Sequence, residues 1–205
     1  MLPDVTQLPF WLSQRLAVAP KSTGCDLQLN ALRAAAVLIP IVLHSTGATI
    51  LLTERAAHLS AHAGQVSFPG GASEVHDADA IATALRETEE EIGLQARQVE
   101  VLACLGEYHT ISGFCVTPVV GLIRPGFSLV PDPTEVADVF ELPLAVLMDR
   151  TRYEKRWVSR KGVRGTTHFL EFERRVVWGA TAGMLLNFSQ DLMLEGIPKD
   201  MTVLT

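Results

Sequence analysis

The stretch Arg86-Glu87-Thr88-Glu89-Glu90-Glu91-Ile92-Gly93-Leu94 follows a glycine turn, Phe68-Pro69-Gly70-Gly71. Wound as a helix at about 100° per residue, Glu87, Glu90 and Glu91 fall within one sector about 100° wide. Ile81, Leu85, Thr88 and Ile92 gather on another sector, about 60° away at the nearest edge. One face is therefore suited to burial while the other collects three carboxylates. Like charges at i,i+3 and i,i+4 cost a helix roughly 0.2–0.5 kcal/mol per pair. A multivalent cation turns that cost into a binding site, because hard cations take oxygen ligands. A solvated Glu-rich helix gives the same pattern, since Glu is a good helix former. The glycine turn in front and Gly93 behind favour the metal reading.

With the Gly-Gly turn, the pattern Arg-Glu-x-x-Glu-Glu-x-Gly-aliphatic resembles the Nudix box. That signature marks hydrolases acting on a nucleoside diphosphate linked to another moiety, with the consensus Gly-x5-Glu-x7-Arg-Glu-aliphatic-x-Glu-Glu-x-Gly-aliphatic. Counted from Gly71, this chain has Asp77 at the first acidic position, eight residues between Asp77 and Arg86, and Thr88 at the aliphatic position. The extra residue falls in the loop Ser73 to Asp79, where added length is cheap. Upstream, Leu51-Leu52-Thr53-Glu54-Arg55-Ala56 leading through Gly64 to Phe68-Pro69-Gly70-Gly71 resembles the additional motif of the coenzyme A pyrophosphatase branch. Ser60 stands where that branch has Arg. Ser112-Gly113-Phe114, Val116 to Gly121, Glu135-Val136, Glu141 to Leu144 and Trp178 to Gly183 are similar to later segments of the branch, so the resemblance covers roughly residues 30–190.

The resemblance implies an α/β fold, a Nudix-type α/β/α sandwich around a mixed β-sheet. It implies that Glu87, Glu90 and Glu91 bind Mg²⁺ or Mn²⁺. Glu87 and Glu90 act in catalysis, and Arg86 holds the carboxylates by ion pairing. Glu135 is a candidate fourth catalytic carboxylate, with a plain element-boundary residue as the alternative. Arg55, His62, Gly70 and Gly71 are the candidate substrate contacts, and His58 and the basic stretch Arg150 to Arg164 could also meet phosphates. The implied reaction cuts coenzyme A or an acyl form into 3′,5′-ADP and a 4′-phosphopantetheine. ADP-ribose, a dinucleotide or another nucleoside diphosphate derivative is the alternative substrate, and a noncatalytic nucleotide-binding module is the rival class. Relatives suggest a homodimer.

At 205 residues one domain is the default, with residues 1–30 as an accessory segment and 31–205 as the hydrolase domain. Apolar residues at 48% with 20% charged argue against disorder. No run of 18 apolar residues occurs, and no basic region precedes an apolar stretch at the N-terminus, so neither a spanning helix nor a secretory signal is expected. Cys25, Cys104 and Cys115 form no CxxC pair, which suits a reducing compartment and a cytoplasmic protein. A net charge of −6 argues against nonspecific nucleic-acid binding. An anionic substrate then needs local help from metal and basic side chains.

Along the chain, Pro9 to Leu16 reads as a short helix and Pro20 to Asp26 as a loop. Ala34 to Leu43 and Ala48 to Thr53 read as strands joined by the turn His44 to Gly47. Residues 54–71 read as a long, functional loop. Asp79 to Ile92 is a helix ended by Gly93. Val99 to Tyr108, Phe114 to Ile123 and Val136 to Leu142 read as strands, and Pro143 opens a short helix to Met148. A hairpin of Trp157 to Ser159 and Thr167 to Phe172 turns at Lys161 to Gly165, and a last helix starts at Trp178 or Gly179 and runs to Asn187.

Overall fold

A computed structural model describes residues 2–18, 23–25, 32–59, 62–160 and 163–193. Ser60, the Lys161-Gly162 turn and Met201 to Thr205 lie outside the described residues. The strands in chain order are β1 (Gly24–Cys25), β2 (Arg33–His44), β3 (Gly47–Arg55), β4 (Val66–Ser67), β5 (Gly70–Ala72), β6 (Val99–Cys104), β7 (Tyr108–His109), β8 (Phe114–Ile123), β9 (Val136–Pro143), β10 (Tyr153–Arg160), β11 (Val163–Phe172) and β12 (Arg175–Trp178). The helices are α1 (Leu8–Val18), α2 (Ala80–Ile92), α3 (Leu144–Met148) and α4 (Ala180–Met193).

Among the described residues β1 to β9 form one mixed sheet and β10 to β12 a second, antiparallel one. β2 is the hub of the large sheet. It runs parallel to β8 and antiparallel to β3 and β5, and β3 pairs onward with β9. Both faces of β2 are covered, which explains its unbroken apolar run. Ile39 and Ile41 face a core with Leu12 of α1, Leu147 of α3 and Phe188 of α4. Ala36, Leu38 and Val42 face the opposite core with Ala84 and Ile92 of α2. Helices thus lie on both sides of a mixed sheet, as expected. Pro40 falls between the stretch of β2 paired with β5 and the stretch paired with β3. A residue without an N–H is tolerated there.

Several boundaries differ from the sequence reading. The loop expected at 54–71 contains the end of β3 and the short strands β4 and β5, which fold back along β3 and β2. Strands of two or three residues, one of them Gly-Gly, carry no alternation to read. The loop expected at Pro20 to Asp26 includes β1, parallel to β7. The strand expected at Val99 to Tyr108 breaks between β6 and β7 opposite Pro118. Leu105 N–H donates to the Pro118 carbonyl at 2.8 Å, and a proline returns no donor. The expected hairpin is longer, with Arg160 opposite Val163, and gains β12 as a third strand. Trp178 is held in β12 opposite Phe169, with the two rings stacked at 5.9 Å, so α4 starts at Ala180 and extends to Met193. The N-terminal segment places Leu8, Leu12 and Leu16 in the same core as α4. No described helix is long and apolar enough to cross a membrane.

Candidate active site

The acidic helix is fixed at both ends. At its start the Asp79 carboxylate accepts from Ala82 N–H at 2.8 Å, a side-chain N-cap. At its end Gly93 adopts φ 71°, and its N–H donates to the Glu89 carbonyl. Two further C-terminal carbonyls are taken by the following loop: Val130 N–H donates to Ile92 O and Asp132 N–H to Glu91 O. Glu135 N–H then donates to Asp132 O, and Glu135 O accepts from Ala56 N–H. These bonds draw the Glu135 loop between the end of α2 and the end of β3. Thr88, at the expected aliphatic position, is fully buried and returns its hydroxyl to the Ala84 carbonyl at 2.6 Å. The departure from an aliphatic residue therefore leaves no unpaired polar atom.

Arg86 organises the carboxylates. Its Nε and Nη2 grip the two oxygens of Asp77 at 3.0 and 2.9 Å, a forked pair. Its Nη1 donates to Glu87 Oε1 at 2.9 Å and Glu90 Oε2 at 3.0 Å, and Nη2 also reaches the Ala72 carbonyl. Asp77 further accepts from Glu74 N–H and the Thr83 hydroxyl. This net holds its carboxyl well below the usual carboxylate range, with the Arg86 hydrogen bonds foremost. One guanidinium thus ties the loop before α2 to two of the three clustered glutamates. Asp77 occupies the family's first acidic position and, in this chain, anchors Arg86.

The glycine turn meets the same cluster. A Cβ on Gly71 would stand 2.4 Å from Glu87 Oε2, and one on Gly70 would stand 2.4 Å from the Ala36 carbonyl oxygen and 2.5 Å from Val37 Cα. Gly70 also has φ 148°. These glycines let β5 approach both Glu87 and β2. Gly70 N–H donates to Glu91 Oε2 at 3.2 Å, and Arg55 Nη1 lies 3.6 Å from Glu91 Oε1.

Glu91 is 4% exposed. Burial pushes its carboxyl up to about 7; Gly70 N–H and Arg55 pull it down, and the charges of Glu135 and Glu87 push it further up. Burial also raises Glu87, with Arg86 opposing and Glu90 and Glu135 adding to the rise. Glu135, though exposed, is therefore close enough to act on both. Glu87 and Glu90 share the Arg86 guanidinium, already committed to Asp77, and Glu91 meets Arg55 at 3.6 Å. An all-oxygen donor set with uncompensated negative charge fits a hard divalent cation.

Beside Arg55 opens a cleft of about 170 Å³. Arg55, His62, Gln65 and Ser67 line one part of it. Thr110, Ile111, Ser112 and the stretch Trp178 to Thr181 line the rest. His62 sits at φ 59°, with its ring paired to Gln65 Oε1 at 2.7 Å. Two segments noted only for resemblance, Ser112-Gly113-Phe114 and Trp178 to Gly183, thus supply cleft walls that no local pattern revealed. His58 is exposed and outside this lining. Of the described basic side chains of 150–164, Arg150, Arg152, Lys155 and Arg156 are absent from it too. Arg156 pairs instead with Glu154 and Glu171, and Arg152 with Asp149.

Residues 32–161 match the sequence profile of the NUDIX domain. A protein of Photorhabdus laumondii named uncharacterized Nudix hydrolase NudL is 42% identical over 162 residues, covering 79% of this chain and 86% of that one. The protein of the same name from Pectobacterium atrosepticum is 45% identical over 153 residues, covering 75% and 79%. Among solved structures, a MutT/nudix family protein from Enterococcus faecalis shares the fold at 14% identity and a TM-score of 0.50, over 78% of this chain and 62% of that one.

Proposed function

The chain belongs to the Nudix family and is a hydrolase of phosphorus anhydrides, and from that premise we propose that its preferred substrate is coenzyme A or an acyl-coenzyme A, cut to 3′,5′-ADP and a 4′-phosphopantetheine. The observation that carries this reading is the carboxylate face of α2, locked by Arg86 and joined through Arg55 to the cleft. The coenzyme A preference draws on the Leu51 to Gly71 motif, whose Arg55 and His62 line that cleft.

Glu87, Glu90 and Glu91 hold Mg²⁺ or Mn²⁺, and Glu135 is the candidate fourth carboxylate. When bound, the cation neutralises phosphate charge and activates a water. The protein's own part is positional. Arg86 fixes the directions of Glu87 and Glu90, and Gly71 leaves room for the Glu87 carboxylate. Arg55, between Glu91 and the cleft, meets a substrate phosphate. Glu87 orients or deprotonates the attacking water, a role typically worth ~10²–10⁴-fold. Trp178 and Ile111 offer apolar wall to the remainder of the substrate, and Thr110 and Ser112 offer hydroxyls.

Purified protein with Mg²⁺ should be given coenzyme A, ADP-ribose and a dinucleotide separately, with products identified by chromatography and mass spectrometry. The reading expects 3′,5′-ADP and 4′-phosphopantetheine to dominate, and to vanish with Glu90→Gln. Coenzyme A left intact while another substrate is cut would overturn the preference and give weight to Ser60, which replaces the branch Arg. A homodimer belongs to the same reading. Light scattering at twice the chain mass supports it, and a single-chain mass contradicts it.

A further inference from the structure

Away from α2, the edge of the large sheet gathers a different set of ligand atoms. β7 lies between β1 and β8, and His109 stands opposite Cys115 in the β7–β8 register. Thr110 N–H donates to the Phe114 carbonyl at 2.8 Å. The 110–114 pair is therefore hydrogen-bonded, and 109–115 is the alternate, non-hydrogen-bonded pair in which side chains come closest. Glu107, just ahead of β7, brings its carboxylate toward the same pair. A carboxylate oxygen, an imidazole nitrogen and the thiol sulfur of these three residues all lie within 4.8 Å of one another. His109 Nε2 is 3.8 Å from Glu107 Oε2. Glu107 is exposed, and His109 and Cys115 are half-buried. Ala34, opposite Cys115 on β2, is exposed as well, so this part of the face is open to a solvated ion.

We propose that Glu107, His109 and Cys115 form a second metal site, one that takes Zn²⁺ and is separate from the carboxylate site on α2. The donor chemistry sets the choice. Thiolate and imidazole suit a borderline-soft ion, whereas Mg²⁺ takes oxygen ligands almost exclusively. Donors around a tetrahedral Zn²⁺ at 2.0–2.3 Å stand roughly 3.5 Å apart. Closing the cluster to that size needs a side-chain shift of about an ångström, and Glu107, the exposed member, can supply much of it. Water completes the fourth position. Binding uses the Cys115 thiolate and releases its proton to solvent. The cation joins β7 to β8, and because Gly24 N–H donates to the Glu107 carbonyl, β1 is attached to the same point.

Co²⁺ is the probe, because thiolate coordination gives a near-ultraviolet charge-transfer absorption that the all-oxygen α2 site cannot give. Titrating the reduced, metal-free full chain with Co²⁺ should produce this absorption, saturating at one ion per chain and disappearing on addition of Zn²⁺. Cys115→Ser should abolish it, and His109→Asn and Glu107→Gln should weaken Co²⁺ binding by about 10–100-fold or more, the range seen even for indirect ligand partners. Cys25→Ser, Cys104→Ser and Glu87→Gln should retain it. Absence of the absorption in the unmodified chain, or its persistence in Cys115→Ser, would overturn the site. Circular dichroism checks that each variant is folded, and His109→Asn keeps the test open if Cys115→Ser is not. The hydrolysis panel reads the α2 site independently, so either conclusion stands or falls without the other.

Discussion

Gly71 has no room for a side chain, because Glu87 fills the space where its Cβ would stand. Gly71→Ala should keep the fold, as judged by circular dichroism, while turning Glu87 away from its bond to Arg86. Turnover should fall at least about 100-fold, the scale on which misplaced catalytic groups cost rate; unchanged turnover would dissociate Glu87 from the reaction. Asp77 acts one step further out. Asp77→Ala leaves the Arg86 fork half-empty and should lower the midpoint of chemical denaturation. Asp77→Glu should recover part of the turnover that Asp77→Ala loses. Glu91 carries the pH dependence. Its folded pKa of about 7 lies above its ordinary 4.5, so this group's contribution to metal-free stability is greatest below about 4.5 and is lost as pH rises through about 7. A divalent cation requires the carboxylate. Calorimetry should therefore find Mg²⁺ affinity rising by up to about tenfold per pH unit below pH 7 and levelling above it. Equal affinity at pH 5.5 and 8 would contradict this.

α2 was legible in the sequence because every signal agreed: Asp79 caps, Gly93 terminates, and the apolar and acidic sectors separate at helical period. The central strands were legible for a similar reason, since β2 and β8 are buried on both faces and read as continuous apolar runs. β4 and β5 were not, because their strand character comes from pairing with β3 and β2 and not from their own residues. The three glutamates were visible as a group, but the consensus spacing did not say that Asp77 forks Arg86, and the Arg55 approach to Glu91 joins residues far apart in the chain. The cleft walls at Thr110 to Ser112 and Trp178 to Thr181 were hidden likewise until the sheet brought them together. The join between α2 and the Glu135 loop can be tested. At φ 71° and with Val130 Cβ 3.1 Å from a new methyl, Gly93→Ala should cost about 1–2 kcal/mol of stability. It should also lower turnover by loosening Glu135. Thr88→Val, on the buried face, loses the hydroxyl bond to the Ala84 carbonyl and should cost about 0.5–1.5 kcal/mol while leaving turnover alone.

Across the whole molecule, α2 lies on one face of the sheet while α1, α3 and α4 close the other. Residues 8–18 contribute to that second core, so the N-terminal segment supports the sheet that carries the site. Leu12 is fully buried there, and Leu12→Ala should cost about 2–5 kcal/mol. The small sheet sends Leu170 and Val177 into the same core and Trp178 to the cleft. The arrangement sets a rigid, Arg-locked carboxylate face beside a cleft assembled from distant segments. The direct test is the rate of coenzyme A cleavage by Glu87→Gln and Glu90→Gln at saturating Mg²⁺, beside the unmodified chain and with folding verified. A fall of about 10²–10⁴-fold in both is the predicted result. Unmodified rates in both variants would contradict the assignment of the reaction to α2.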